Sequence, residues 1–301
     1  IIGIIIGVVI SGGVVYAATV IAASKVEYTD NASLGATNVQ DAIDKLNTKA
    51  TTKIAEAKKE CPDGYICEKA PSFEEDSWST IAANVKAGKA SLYQVGDTKT
   101  INMGSLGTHT VRVANTSECT NGETSKTACG FVVEFADIIS NYAMNSTDTN
   151  VGGWPASSMR TYVNGTIYNA LPSDLQKVIS TTTVVSGHGP TLGESNFTSS
   201  DKLYLISTKE LWGKAGTSDI ISTDTAEIET RQLDYYENKG VTTSNHRGTI
   251  KKYNGSNTSW SLRSADSTST SYFFRVVDDN GAWSYTYAGD TRGVSPAFRI
   301  A

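Results

Sequence analysis

Residues 1–24, IIGIIIGVVISGGVVYAATVIAAS, carry no charged side chain before Lys25. About 20 consecutive apolar residues are enough to cross a bilayer as a helix, so the run predicts a transmembrane or filament-core segment. Its Ile, Val and Gly also suit a strand, and a strand donated to a neighbour's sheet is a further reading. Lys25-Val26-Glu27-Tyr28-Thr29 then alternates as a short strand would, and Asp30–Gly35 is rich in turn formers. From Val39 the apolar residues Ile43, Leu46, Ala50, Ile54 and Ala57 recur at three- and four-residue spacing, opposite Gln40, Asp41, Asp44 and Lys45. This predicts an amphipathic helix of about 22 residues, roughly 33 Å long. Such a helix is either a stalk or an element laid flat on the head.

From Trp78 the pattern changes. Trp78–Val85 reads as a short amphipathic helix. Tyr93–Val95, Thr98–Met103 and Thr108–Ala114 read as a β-meander, with Gly96-Asp97 and Gly104–Gly107 as turns. Phe131–Phe135 reads as a buried strand and Ile138–Met144 as a helical turn. Trp154–Asn164 and Leu171–Ile179 each open a helix, and Asp201–Leu211 runs from strand into helix. Phe273–Gly289 reads as a hairpin turning at Asp278-Asp279-Asn280-Gly281. The expected organisation is therefore an apolar segment at 1–24, a strand-turn-helix stalk at 25–60, a loop and linker at 61–77, and a head at 78–301.

Charged residues make up 19% of the chain and the net charge is −5. No basic footprint for nucleic acid is present. The four cysteines fall in two close pairs, Cys61 with Cys67 and Cys119 with Cys129. Close pairs behind a secretion-type segment predict two local disulfides and an oxidising compartment. A zinc site is the alternative, but no CxxC occurs and His109, His188 and His246 are scattered.

Three resemblances follow from particular residues. A retained apolar N-terminus resembles that of type IV pilins, in which the segment becomes the filament core, although Ile5 stands where the usual signature has Glu. Tyr16–Leu46 is similar to a prefix on bacterial surface proteins that join one apolar segment to a strand-turn-helix unit. The words WPASSMRTYVN (154–164), DKLYLIS (201–207), WSLRS (260–264) and GVSPA (293–297) together resemble a bacterial domain family of unassigned function. That family is similar to the C-type-lectin-like superfamily. The resemblance implies an α+β chain: an N-terminal apolar helix, a short amphipathic helix and a C-type-lectin-like mixed head. Trp154, Arg160, Trp260, Arg263 and Pro296 are then expected to serve the fold, with the planar fork of Arg263 holding loop carbonyls or a carboxylate.

For chemistry the sequence offers little. The calcium loop and Trp-Asn-Asp strand of sugar-binding C-type lectins are not present, and Asp278, Asp279 and Asn280 are too few oxygens for calcium by themselves. No nucleophile, base and carboxylate can be placed together, so no enzyme, cofactor or metal is expected. The remaining candidate is Trp283, Tyr285 and Tyr287, which alternate and therefore share one face of a strand beside Asp278, Asp279 and Asn280. They are either a recognition surface for glycan or protein, or half-buried sheet residues. The expected function is a subunit of an extracellular pilus-like filament, passing through the membrane before it pairs with copies of itself through residues 1–24. The alternative is a membrane-tethered adhesin at the cell surface.

Overall fold

The computed structural model describes residues 41–48, 70–120, 122–189, 195–213, 230–266 and 271–301. The chain divides into two units, 1–70 and 71–301. In the first, residues 41–48 are helical, with Ala42 buried and Lys45 paired with Asp41 at 3.0 Å across one turn. Residues 1–40, most of the expected stalk and the Cys61–Cys67 pair lie outside the described residues.

The second unit is built mainly of strands. These are β1 (Thr98–Asn102), β2 (Thr108–Asn115), β3 (Phe131–Phe135), β4 (Ser140–Ala143), β5 (Ile179–Ser180), β6 (Thr182–Ser186), β7 (Phe197–Asp201), β8 (Tyr204–Leu205), β9 (Lys252–Tyr253), β10 (Ser256–Asn257), β11 (Trp260–Ala265), β12 (Phe273–Val277), β13 (Trp283–Tyr287), β14 (Thr291–Val294) and β15 (Pro296–Ile300). One sheet runs β1-β2-β3-β15-β5, with β8 also on β15, and the other runs β13-β12-β11-β14-β4. Pairs β6–β7 and β9–β10 are separate ribbons. Ser295 is the junction at which the chain leaves β14 in one sheet and enters β15 in the other. Its hydroxyl donates to the carbonyls of Phe135 (3.1 Å) and Asp137 (3.2 Å), which holds the crossing in place.

This corrects the expected fold class. Among the described residues no helix is long and apolar enough to cross a membrane. The head is mostly β-sheet with short helices, not the mixed α+β head that was expected. The helical words break early for local reasons. Ser157 takes an extended conformation and caps the next turn, so Gly153–Ala156 and Ser158–Tyr162 are separate pieces. Ile138–Met144, expected as a helical turn, holds β4, whose partner β14 lies far along the chain. Trp260–Ala265, which contains the word WSLRS, is a strand buried at all six positions. Tyr93–Val95 forms no strand. Tyr93 closes a single turn at Ala90–Leu92, and its ring packs against Phe73 and Phe131. Phe73 is itself buried and meets Trp78 edge-on, so part of the expected linker belongs to the core.

Candidate functional site

The four sequence words turn out to be partners of one another. Trp154 Nε1 donates to Asp201 Oδ2 (2.9 Å), and Arg160 Nε donates to Oδ1 of the same carboxylate (2.6 Å). Ser199 donates to Asp201 Oδ2 as well (2.7 Å). The Asn164 side chain accepts the backbone N–H of Lys202 and Leu203 and donates to the Leu203 carbonyl. The first word is thereby fastened to the second. We predict that Asp201→Ala, which strands the Trp154 and Arg160 donors, costs about 1–3 kcal/mol in a denaturant titration. Asp201→Asn, which keeps acceptor oxygen, costs less. A loss within about 0.5 kcal/mol, the range of ordinary surface changes, would overturn this.

The second word is fastened to the third. Ser207 caps Thr208–Trp212 and forms a reciprocal capping box with Glu210. The buried Glu210 carboxylate receives Arg263 from β11 in a two-point grip, Nη1 to Oε2 at 2.5 Å and Nη2 to Oε1 at 2.7 Å. Arg263 also donates to the carbonyls of Leu205 (2.9 Å) and Val185 (3.4 Å) and to Thr127 Oγ1 (3.2 Å), so all five of its N–H groups have acceptors. Burial by itself would raise the Glu210 pKa, but the Arg263 charge and hydrogen bonds outweigh it and hold the carboxyl below the usual range. Trp260 Nε1 donates to the Thr249 carbonyl (3.2 Å), and Pro296 opens β15 opposite Leu205.

A second buried charge cluster joins the sheets. Glu134 on β3 accepts from Arg112 Nε (2.8 Å), Lys251 Nζ (2.7 Å) and the Tyr236 hydroxyl (2.8 Å). Lys251 spends its other donors on the Phe135 carbonyl (2.7 Å) and Ser295 Oγ (2.8 Å), and lies 4.7 Å from the Trp260 ring centre. Burial would raise the Glu134 pKa, but the two cations lower it. Burial lowers Lys251 to about 8 despite the carboxylate beside it. Every member of both clusters is engaged within the protein, so these charges serve the scaffold. Sequence reading missed Glu134, Arg112, Lys251, Glu210 and Asp201. The only local signal was Ser207-Thr-Lys-Glu210, the pattern of a capping box.

Cys119 and Cys129 are joined by a disulfide that closes the loop entering β3, with their Cα atoms 4.9 Å apart. Among the described residues no group of three or more His, Cys, Asp or Glu side chains is placed to hold a metal ion. Asp278 Oδ1 accepts the backbone N–H of Asn280 (2.9 Å) and Ala282 (2.8 Å), and Asn280 donates to Asp279 (3.1 Å). These groups build the β12–β13 turn.

What remains is the ring face of that hairpin. Trp283, Tyr285 and Tyr287 are 37%, 53% and 48% exposed, and Tyr272 at the start of the hairpin is 49% exposed. Four of the eight exposed large hydrophobic side chains among the described residues therefore sit on one hairpin. The rings are flanked on the same face by side chains of β12. Phe273 lies across from Tyr287, with its ring centre 4.6 Å from that of Tyr287 and 4.9 Å from that of Tyr285. The buried Arg275 stands 5.7 Å from the Trp283 ring centre and is held by Asp266 at 3.0 Å. Tyr285 also borders an open groove of about 320 Å³, shared with Asn141, Asp278, Ser284 and Arg292. The structure thus brings Trp283, Tyr285 and Tyr287 together on one exposed face and places Asp278 at the groove's rim. Tyr272 and Phe273 were not singled out by sequence, because neither continues the alternation of β13.

Residues 132–301 match a family described as a domain of unknown function (DUF6273). No curated protein and no solved structure matches the chain. The lectin-like and pilin-like resemblances accordingly gain no support from known proteins. The match spans β3 to β15 and contains all four words and the ring face, and the chain belongs to the DUF6273 family of domains of unknown function.

Proposed function

We propose that this is an extracellular protein that associates with copies of itself through residues 1–24 and presents the ring face of β13 to a ligand. The observation that carries the recognition half is the clustering of exposed rings on one hairpin of a head whose other large rings are mostly in the core. Rings give wide contact area at small entropic cost. Where β13 turns its Ser284 side, a groove bordered by Tyr285 offers amide, hydroxyl, carboxylate and guanidinium groups, a set suited to the hydroxyls of a glycan. The Cys119–Cys129 disulfide supports an oxidising, extracellular location. The filament half rests on the charge-free run Ile1–Ser24.

The test of recognition is a glycan array probed with the full chain, followed by titration of the best ligand. Trp283→Ala and Tyr285→Ala should each weaken binding about tenfold or more, equivalent to about 1.4 kcal/mol. Binding that survives both substitutions unchanged would sink the ring face as the site. The filament half is tested by electron microscopy of sheared material from producing cells, with and without Ile1–Ala23. Filaments absent from both samples would sink it.

A further inference from the structure

The hairpin has a second exposed feature, its backbone edge. Antiparallel partners alternate between pairs that exchange hydrogen bonds and pairs that do not. Asp278 N–H donates to the Ala282 carbonyl and Ala288 N–H donates to the Tyr272 carbonyl. With the register Phe273↔Tyr287 to Val277↔Trp283, the bonded positions of β13 are therefore the even ones, Ser284 and Thr286. The N–H and C=O groups of Trp283 and Tyr285, and the N–H of Tyr287, point away from β12. The Tyr287 carbonyl accepts from Asp290. Among the described residues no strand pairs with this edge.

Open edges are normally short, charged or covered, because they template pairing with another chain. The outer edge of the other sheet follows that rule. β1 carries Lys99, whose ammonium is tied to the carbonyls of Glu74 (2.6 Å) and Asp76 (3.0 Å). At the far side of the ring-bearing sheet, β4 has only four residues. β13 is Trp-Ser-Tyr-Thr-Tyr, with no charge, no proline and no bulge against β12. Among the described residues it is an edge with none of these defences.

The same chain contains a segment suited to it. Eight of the first ten residues, IIGIIIGVVI, are Ile or Val, side chains that favour strands and pair well across from aromatic residues. We infer that the open edge of β13 receives a strand drawn from Ile1–Ile10 of a second copy of this chain. This rests on the self-association half of the proposed function and specifies its contact. Because donor and acceptor surfaces differ, each copy can give one strand and take one, and the contact repeats without closing. The edge is read through backbone groups and the ring face through side chains, so assembly and ligand binding use different directions of one strand.

The test uses the full chain in sedimentation and in hydrogen exchange. A proline at an outward-facing edge position removes a donor to an added strand while leaving the ladder to β12 intact. Tyr285→Pro and Val8→Pro should each abolish the fast-sedimenting species, whereas Tyr285→Ala should retain it. The amides of Trp283 and Tyr285 should exchange slowly in assembled wild-type protein and rapidly in the chain lacking Ile1–Ala23. Assembly that survives Tyr285→Pro, with those amides still exchanging rapidly in the wild type, overturns the strand contact and leaves self-association standing. Assembly that survives loss of Ile1–Ala23 but not Tyr285→Pro overturns it in favour of β13 pairing with its own copy. A wild-type chain that never assembles overturns both readings. Should Tyr285→Pro lose its near-ultraviolet circular dichroism, the wild-type exchange pattern alone decides.

Discussion

Arg263→Met is expected to destabilise the head by about 3–5 kcal/mol, because it leaves the Glu210 carboxylate buried without its cation. For a unit of this size that is a fall of about 6–20 °C in Tm. Glu210→Gln should be nearly as harmful, since it leaves the guanidinium facing a neutral amide while the surrounding carbonyls stay in place. The two losses are not independent. Replacing both residues by Met should cost less than the sum of the single changes by roughly 1–3 kcal/mol, since neither charge is then left alone. Strict additivity in a thermal or denaturant series would show that the two-point grip contributes nothing specific.

Glu134→Gln is expected to have an effect of similar size, about 3–5 kcal/mol, for the mirror-image reason: Arg112 and Lys251 lose the anion that they share. The same cluster has a signature in pH that needs no substitution to detect. Lys251 has a pKa of about 8 in the folded protein against 10.5 for a free lysine. Between these values the unfolded chain binds more protons, so stability rises with pH across the window. From pH 7 to 9.5, below the ionisation of tyrosine, the gain is on the order of 2 kcal/mol. A urea midpoint followed over that range should climb in the wild type and stay flat in Lys251→Met. Parallel profiles would overturn the assignment. On the acid side Glu134 and Glu210 are both held below the usual carboxylate range. Their contribution is present above that range and is lost as pH falls through their depressed values.

Local pattern exposed some of this and concealed the rest for identifiable reasons. The hairpin Phe273–Gly289 was legible because alternation and an Asp-Asp-Asn-Gly turn lie within one short stretch. β1 and β2 were legible in the same way, and β3 as a short apolar run. β11 was not, because its buried Ser261, Arg263 and Ser264 leave neither an apolar run nor a solvent-facing alternation to show. β4 was misread because Ile138, Ile139 and Tyr142 also satisfy a helical spacing, and only the distant β14 decides between the two. Of the candidate site, the ring positions could be read from period two, but their exposure could not, since that depends on what else packs against the sheet. The charged partners were invisible singly. Glu210 and Arg263 are 53 residues apart, and nothing local announces their pairing.

The position of β3 has a consequence for where this domain can be cut. All five residues of β3 are buried, and the edge turned away from β15 is bonded to β2. The family match begins at Val132, inside β3, and so omits β2 along with Arg112. A fragment trimmed to the match would unzip one side of its own central strand and leave Glu134 short of a cation. The autonomous folding unit is therefore larger than the recurring sequence unit.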